Sequence, residues 1–416
     1  MSTRRHPKTH PRSTPASLLL SVCAMLLLTP NAAAEQPDAD PEPDPHAITP
    51  HRTGTFTLTQ RGVPVDLYLE TRASYRRPDT AQLRTRYRRE GINWITAEGR
   101  PAEWHVHVPD AYTPDTPHGI LVYINSGNHG RIPREYTPLL TQFRLIAIGA
   151  NHSGNKTSTV MRHSWAVQAA RLISDHYNTH PNRVYVFGNS GGGRVTSQVM
   201  IMDCDEFNGA IPMIGTNAYL NVPVPDDPGK HWTGFWTDRP DRKRVAHARQ
   251  NTRIAFLNGS NDFNQPQTKA ICEAYRKDRF RHAVYLEQPG LGHRPASAEY
   301  FAKALTHLDR PVLEQANELH QQASRSDQRK RPGDALIAYR QAVAEGFAAD
   351  WIDDATARLQ ELEARYTADL NAVESLIQPG AKRLEVNREL IRFFRAWGDA
   401  AKPDVDRLRP LIRDLD

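Results

Sequence analysis

"NRVYVFGNSGGGRVTSQVM", residues 182–200, decides how the rest of the chain is read. It passes from the unbroken apolar run 184–187 through Gly188-Asn189-Ser190-Gly191-Gly192 into a segment with helical spacing. Such a run marks a strand buried on both faces of a sheet. Glycines at the change from strand to helix mark a turn too tight for side chains. A serine inside that turn, in the pattern G-x-S-x-G, is pushed out above the carboxyl end of a parallel sheet, where open sheets bind ligands. The N-terminus of the following helix would favour negative charge beside it. A phosphate-binding glycine loop is the rival reading. It fails because the chain has neither GxxxxGK[ST] nor G-x-G-x-x-G.

Further apolar runs flank this one. "ILVYIN" (120–125), "FRLIAIGA" (143–150), "GAIPMIG" (209–215), "TRIAFLNG" (252–259) and "HAVYLEQPG" (282–290) read as strands. Between them, 159–178, 192–207, 268–278 and 296–308 read as helices. In the first, Met161, Trp165, Ala169, Leu172 and Ile173 fall on one helical face. Alternating strands and helices imply right-handed crossovers and an α/β, doubly wound, mostly parallel sheet. Upstream, 54–60, 63–71 and 103–110 alternate polar and apolar residues as half-buried strands do.

The two ends differ in character from this middle. Residues 1–34 read as an export signal: Arg4, Arg5, Lys8 and Arg12 precede the apolar run 17–28, and small residues lead to Ala34. The run is too short for an ordinary membrane span, so no stable membrane insertion is expected after cleavage. A polar, proline-rich linker fills 35–52. The sheet domain is expected over 53–310, and an all-helical extension over 311–416, where amphipathic segments are split by "RKRPGD", "GFAADW" and "QPGAK". No clean internal repeat occurs there, and the extension is a candidate site for a protein partner.

The 416 residues carry a formal charge of +6, but the signal holds four of the bases. Without it, 49 basic face 47 acidic side chains, a net of +2. That is no footprint for nucleic acid. Cys204 and Cys272 remain, either bridged or free. His105 and His107 alternate on one strand, and paired strand histidines are more often surface residues than ligands. No metal and no cofactor is expected.

A serine needs a base to become a nucleophile. The order Ser, acid, His, each on a loop after a strand, finds Asp262 in "LNGSNDFNQ" and His293 in "LEQPGLGHRPA". Asp203 and Asp205 lie at the far end of the helix after Ser190 and are rejected. A tetrahedral intermediate needs hydrogen-bond donors. One is expected from the N–H of Gly191, the other from Ser126, Gly127 or Asn128 in the loop after 120–125. Trp232 and Trp236, in the long insertion before residue 252, are candidate walls of a substrate pocket or core residues. Asn128, Asn151, His152 and Asn155 are candidate cleft residues at the same sheet end, and for the last three loop hydrogen bonds are the other reading.

These motifs, "GNSGG", "GSNDFN" and "PGLGH", together with the strand pattern, resemble the α/β-hydrolase superfamily over about residues 100–310. More narrowly they resemble the exported polyhydroxybutyrate-depolymerase and feruloyl-esterase-like group. The resemblance implies a triad of Ser190, Asp262 and His293, an oxyanion hole at Gly191 and the 126–128 loop, and an exported serine esterase acting on a small-molecule or polymer ester. Many of that group carry His-Gly after the third strand, where this chain has Asn125-Ser126-Gly127. A serine peptidase of prolyl-oligopeptidase type uses the same triad, and a non-catalytic binding protein is the remaining alternative.

Overall fold

The computed structural model describes residues 50–60, 102–235, 242–346 and 349–415. The export signal, most of the linker, the strand expected at 63–71 and Trp236 lie outside the described residues.

In chain order the structure begins with β1 (Gly54–Gln60), β2 (Ala102–Val108), β3 (His118–Ile124), α1 (Thr137–Gln142) and β4 (Leu145–Ala150). There follow α2 (Thr159–His176), β5 (Thr179–Asn189), α3 (Gly191–Met202) and β6 (Gly209–Met213). A short hairpin, β7 (Val222–Pro223) with β8 (His231–Trp232), precedes α4 (Arg242–Asn251), β9 (Arg253–Gly259), α5 (Gln265–Lys277) and β10 (Ala283–Gln288). Five long helices close the chain: α6 (Ala298–Gln328), α7 (Pro332–Glu345), α8 (Ile352–Glu374), α9 (Arg383–Trp397) and α10 (Lys402–Arg413).

Eight strands form one sheet in the order β1-β2-β4-β3-β5-β6-β9-β10. β2 pairs antiparallel with both β1 and β4, and every other pairing is parallel. The alternation along β3 shows why the sheet is covered twice. Ile120, Val122 and Ile124 join the core beneath α2, α3, α4 and α5, while Leu121 and Tyr123 join the core beneath α1 and the first half of α6. Each apolar run is thus buried on both faces. From β3 the chain moves outward to β4, then crosses back to β5 and on toward β10. The adjacent ends of β3 and β5 are therefore the switch point of the sheet, where a crevice opens between diverging loops.

The expected boundary at residue 310 falls inside a helix. α6 runs unbroken for 31 residues with Pro311 in its interior. An interior proline loses one backbone hydrogen bond and crowds the preceding turn, at about 3 kcal/mol. Packing on both sides of it outweighs that cost. Leu305, Leu308 and Val312 are buried in the sheet core. Asp309, fully buried, accepts from Arg183 Nε at 2.8 Å and from the Tyr185 hydroxyl at 2.6 Å. Farther along, Ala323 of the same helix enters a separate core with Leu336, Leu362, Tyr366, Phe393, Trp397 and Leu408. The tail thus builds its own core around the far end of a helix that begins on the sheet. Cys204 and Cys272 are both buried as free thiols.

The Arg183–Asp309 pair joins the start of the β5 core to α6 with both side chains at 0% exposure. Breaking a buried pair by removing one partner costs about 3–5 kcal/mol. Asp309→Ala is expected to lower the unfolding free energy by roughly that amount. Urea unfolding followed by tryptophan fluorescence measures it, and a loss below about 1 kcal/mol would show that the pair does not hold α6 to the sheet.

Candidate active site

β5 ends at Asn189, and Ser190 takes φ 54° and ψ −119° before α3 begins. That left-handed backbone is rare for a residue with a side chain and is held by its surroundings. The N–H of Ser190 donates to Met213 O at 2.9 Å, and the Tyr123 hydroxyl donates to Asn189 Oδ1 at 3.1 Å. Neighbours on both sides of β5 therefore grip the turn. Of the glycines after it, Gly192 and Gly193 are steric necessities because a Cβ there meets backbone, while at Gly191 it meets the end of the Asn155 side chain. A Cβ on Gly192 would lie 1.9 Å from Ile124 O, and one on Gly191 would lie 2.0 Å from Asn155 Oδ1.

The turn carries Ser190 Oγ to 2.9 Å from His293 Nε2. His293 Nδ1 lies 2.7 Å from Asp262 Oδ2. The Asp262 carboxylate is fully buried, and its other oxygen accepts the Asn264 N–H at 2.6 Å. An ionised carboxylate only accepts, so the histidine proton sits on Nδ1 and leaves Nε2 to accept from the serine hydroxyl. The sequence expectation placed these three residues on three loops, after β5, β9 and β10, and the structure brings them into one chain of hydrogen bonds.

The acid and histidine loops are tied together. Asn261 N–H donates to Leu291 O at 3.0 Å, and Gly290 N–H donates to Ser260 Oγ at 2.8 Å. Gly290 takes φ +70°, a conformation open to glycine. Arg194, one turn into α3, reaches across to the acid loop. Its guanidinium donates to Asn264 Oδ1 (2.9 Å), Gln267 Oε1 (3.1 Å), Thr216 O and Asn217 Oδ1 (both 3.0 Å). Burial pulls its pKa down, and the Asp262 charge opposes that pull.

The loop after β3 is the other wall. Gly127 N–H donates to Asn125 Oδ1 at 3.1 Å, and Asn125 Nδ2 donates to His129 O at 2.9 Å. This loop interlocks with the one after β4: Asn155 N–H donates to Ser126 O at 3.0 Å, and Gly154 N–H to Asn128 Oδ1 at 3.2 Å. Three of the candidate residues make hydrogen bonds within these loops. Gly127 has its N–H turned inward to Asn125, which leaves the N–H groups of Ser126 and Asn128 as the candidate donors on this loop. Asn128 holds the neighbouring loop by its side-chain oxygen. Asn151 accepts from Gly130 N–H at 2.8 Å and donates to Glu103, so its amide is a loop tie. Trp232 is half-buried against the core under α2–α5. Asn155, from the same set of candidates, lies with its side-chain amide against Gly191.

Phe263 lies beside the histidine as well. It is 75% exposed, and its ring lies 4.4 Å from that of His293. A lone aromatic in the polar turn "GSNDFN" is the signal that points to it. Arg162 and Arg194 gave no such signal, because helix arginines usually face water.

No protein-family model matches the chain, and no curated protein sequence matches it. Among solved structures it is similar to S-formylglutathione hydrolase (FrmB) from Staphylococcus aureus, at 13% identity and TM-score 0.38 over 62% of this chain and 96% of that one. It is similar also to the feruloyl esterase module from Clostridium thermocellum in complex with sinapinate, at 14% identity and TM-score 0.40, covering 64% and 90%. A third is Thermogutta terrifontis esterase 2 phosphonylated by cyclosarin, at 14% and 0.36, covering 51% and 89%.

Because a Cβ on Gly192 meets backbone and not a movable side chain, Gly192→Ala is expected to displace the serine turn. Overpacking of this kind costs about 1–3 kcal/mol. A urea melt should show the loss, and a fluorophosphonate probe should label Ser190 more slowly than in the parent protein. An alanine variant with unchanged labelling and stability would mean the turn has slack. The strand order, the single reversed strand β2 and the serine turn at the switch point give this chain the α/β-hydrolase fold.

Proposed function

We propose that the protein is a serine hydrolase that cleaves carboxylic esters through an acyl-enzyme intermediate. The observation that carries this reading is the run Ser190–His293–Asp262, at 2.9 and 2.7 Å, on a serine held in a left-handed turn. His293 Nε2 takes the proton of Ser190 as Oγ attacks the ester carbonyl. Asp262 keeps the other ring nitrogen protonated and stabilises the imidazolium that forms. Negative charge collects on the former carbonyl oxygen. The N–H groups of Gly191 and Ser126 are the donors for it, with the N-terminus of α3 adding its positive end. His293 then protonates the departing alkoxide. Water attacks the acyl-enzyme by the same steps in reverse order.

The exposed ring of Phe263 beside His293 supports a substrate with an apolar or aryl group on the leaving side. The signal read at residues 1–34 supports export, and N-terminal sequencing of the protein recovered from outside the cytoplasm tests it.

Ser190→Ala is expected to lower kcat on p-nitrophenyl butyrate by about 10⁶, and Asp262→Asn, which leaves the histidine in the wrong tautomer, by about 10⁴. Full turnover by the Ser190 variant would sink the reading. Preference for a dipeptidyl amide over the ester would move the activity to peptidases.

A further inference from the structure

Arg162 lies in the first turn of α2, with only 5% of its surface exposed. Among the described residues no carboxylate lowers the cost of that burial, which pushes its pKa down to about 10. Its Nη2 donates to Asn125 O at 2.6 Å, and its Nη1 reaches Gly191 O at 3.4 Å. Its Nε has no partner. A buried cation held only by carbonyls is a poor way to pack a helix. An apolar side chain of similar volume would do it without the desolvation cost.

The two carbonyls are those of the two segments that carry the oxyanion donors. Asn125 C=O and Ser126 N–H belong to one peptide unit. In a trans peptide they point in opposite directions, so a donor seated on the carbonyl turns the N–H away from itself. A charged hydrogen bond to that oxygen also draws electron density from the nitrogen, which strengthens the N–H as a donor. The planar guanidinium fork holds the Gly191 segment with its second nitrogen and so sets the spacing of the two donors.

We propose that Arg162 is a positioning residue for the oxyanion hole, holding the peptide that joins Asn125 to Ser126 so that its N–H faces the developing negative charge. The proposal rests on the serine-hydrolase reading above. It makes Arg162 matter to the transition state and little to the ground state or to stability.

The test compares the parent protein with Arg162→Met. Ester kinetics, thermal unfolding, and inhibition by an alkyl trifluoromethyl ketone and by its unreactive methyl ketone are measured on both. The trifluoromethyl ketone adds Ser190 and places an oxyanion in the hole; the methyl ketone binds without doing so. Weakening one donor predicts a fall in kcat of roughly 10–100-fold, short of the loss on deleting a donor. KM should move by less than about threefold. The trifluoromethyl ketone should weaken by the factor lost from kcat/KM, with methyl ketone binding and Tm unchanged. Unchanged kcat, or equal weakening of both ketones, overturns the proposal. If the methionine variant does not fold, Arg162→Gln, which keeps a neutral donor, is judged by the same split between the two ketones. A parent protein that neither hydrolyses esters nor responds to the trifluoromethyl ketone ends the hydrolase reading and this inference with it. An active parent with an unaffected Arg162→Met ends this inference alone.

Discussion

The close approach of Ile124 O to Gly192 is the constraint on which the site depends. It brings the end of β3 against the start of α3 with no space for a side chain between them. Because β3 and β5 meet at the switch point, the same contact sets the loop after β3 beside the serine turn. A looser junction would separate Ser126 from Gly191 and leave Ser190 on an ordinary loop. The left-handed backbone of Ser190 is tolerable only because β6, through Met213 O, and β3, through Tyr123, hold it from either side.

Two arginines bind the segments around this frame. Arg194 ties the serine helix to Asn264 and Gln267 at the acid loop and to Thr216 and Asn217 after β6, with four hydrogen bonds to uncharged oxygens. Arg162 ties it to the loop after β3. Neither is paired to a carboxylate in a simple bridge. Their positive charge is shared among carbonyl and amide dipoles, which suits the proposed hydrolase site, where negative charge would come and go. Asp262 fits the same pattern: its carboxylate is buried, yet each oxygen is taken, one by His293 and one by the Asn264 N–H.

The sheet was legible in the sequence because strands buried on both faces need unbroken apolar runs. Residues 120–125 and 184–187 show them without ambiguity. Ser190, Asp262 and His293 were legible because glycine and polar turns follow such runs at the required places. What was not legible depends on tertiary packing. Pro311 reads as a helix breaker, yet the buried faces of Leu308 and Val312 and the Asp309 pair carry the helix through it. Asn151 and Gly127 have residue types suited to a cleft, and only their hydrogen-bond partners show that they serve the loops. Arg162 is a helix arginine like many others until its partners are seen.

The continuity of α6 has a mechanical consequence. A helix of 31 residues is about 46 Å long. One end is embedded in the sheet and the other in the helical tail. A rod fixed at both ends can carry a displacement along its length. At Asp309 it grips Arg183 and Tyr185 of β5, and β5 is the strand whose last residue precedes Ser190. A displacement of the tail therefore has a path to the strand that aims the serine.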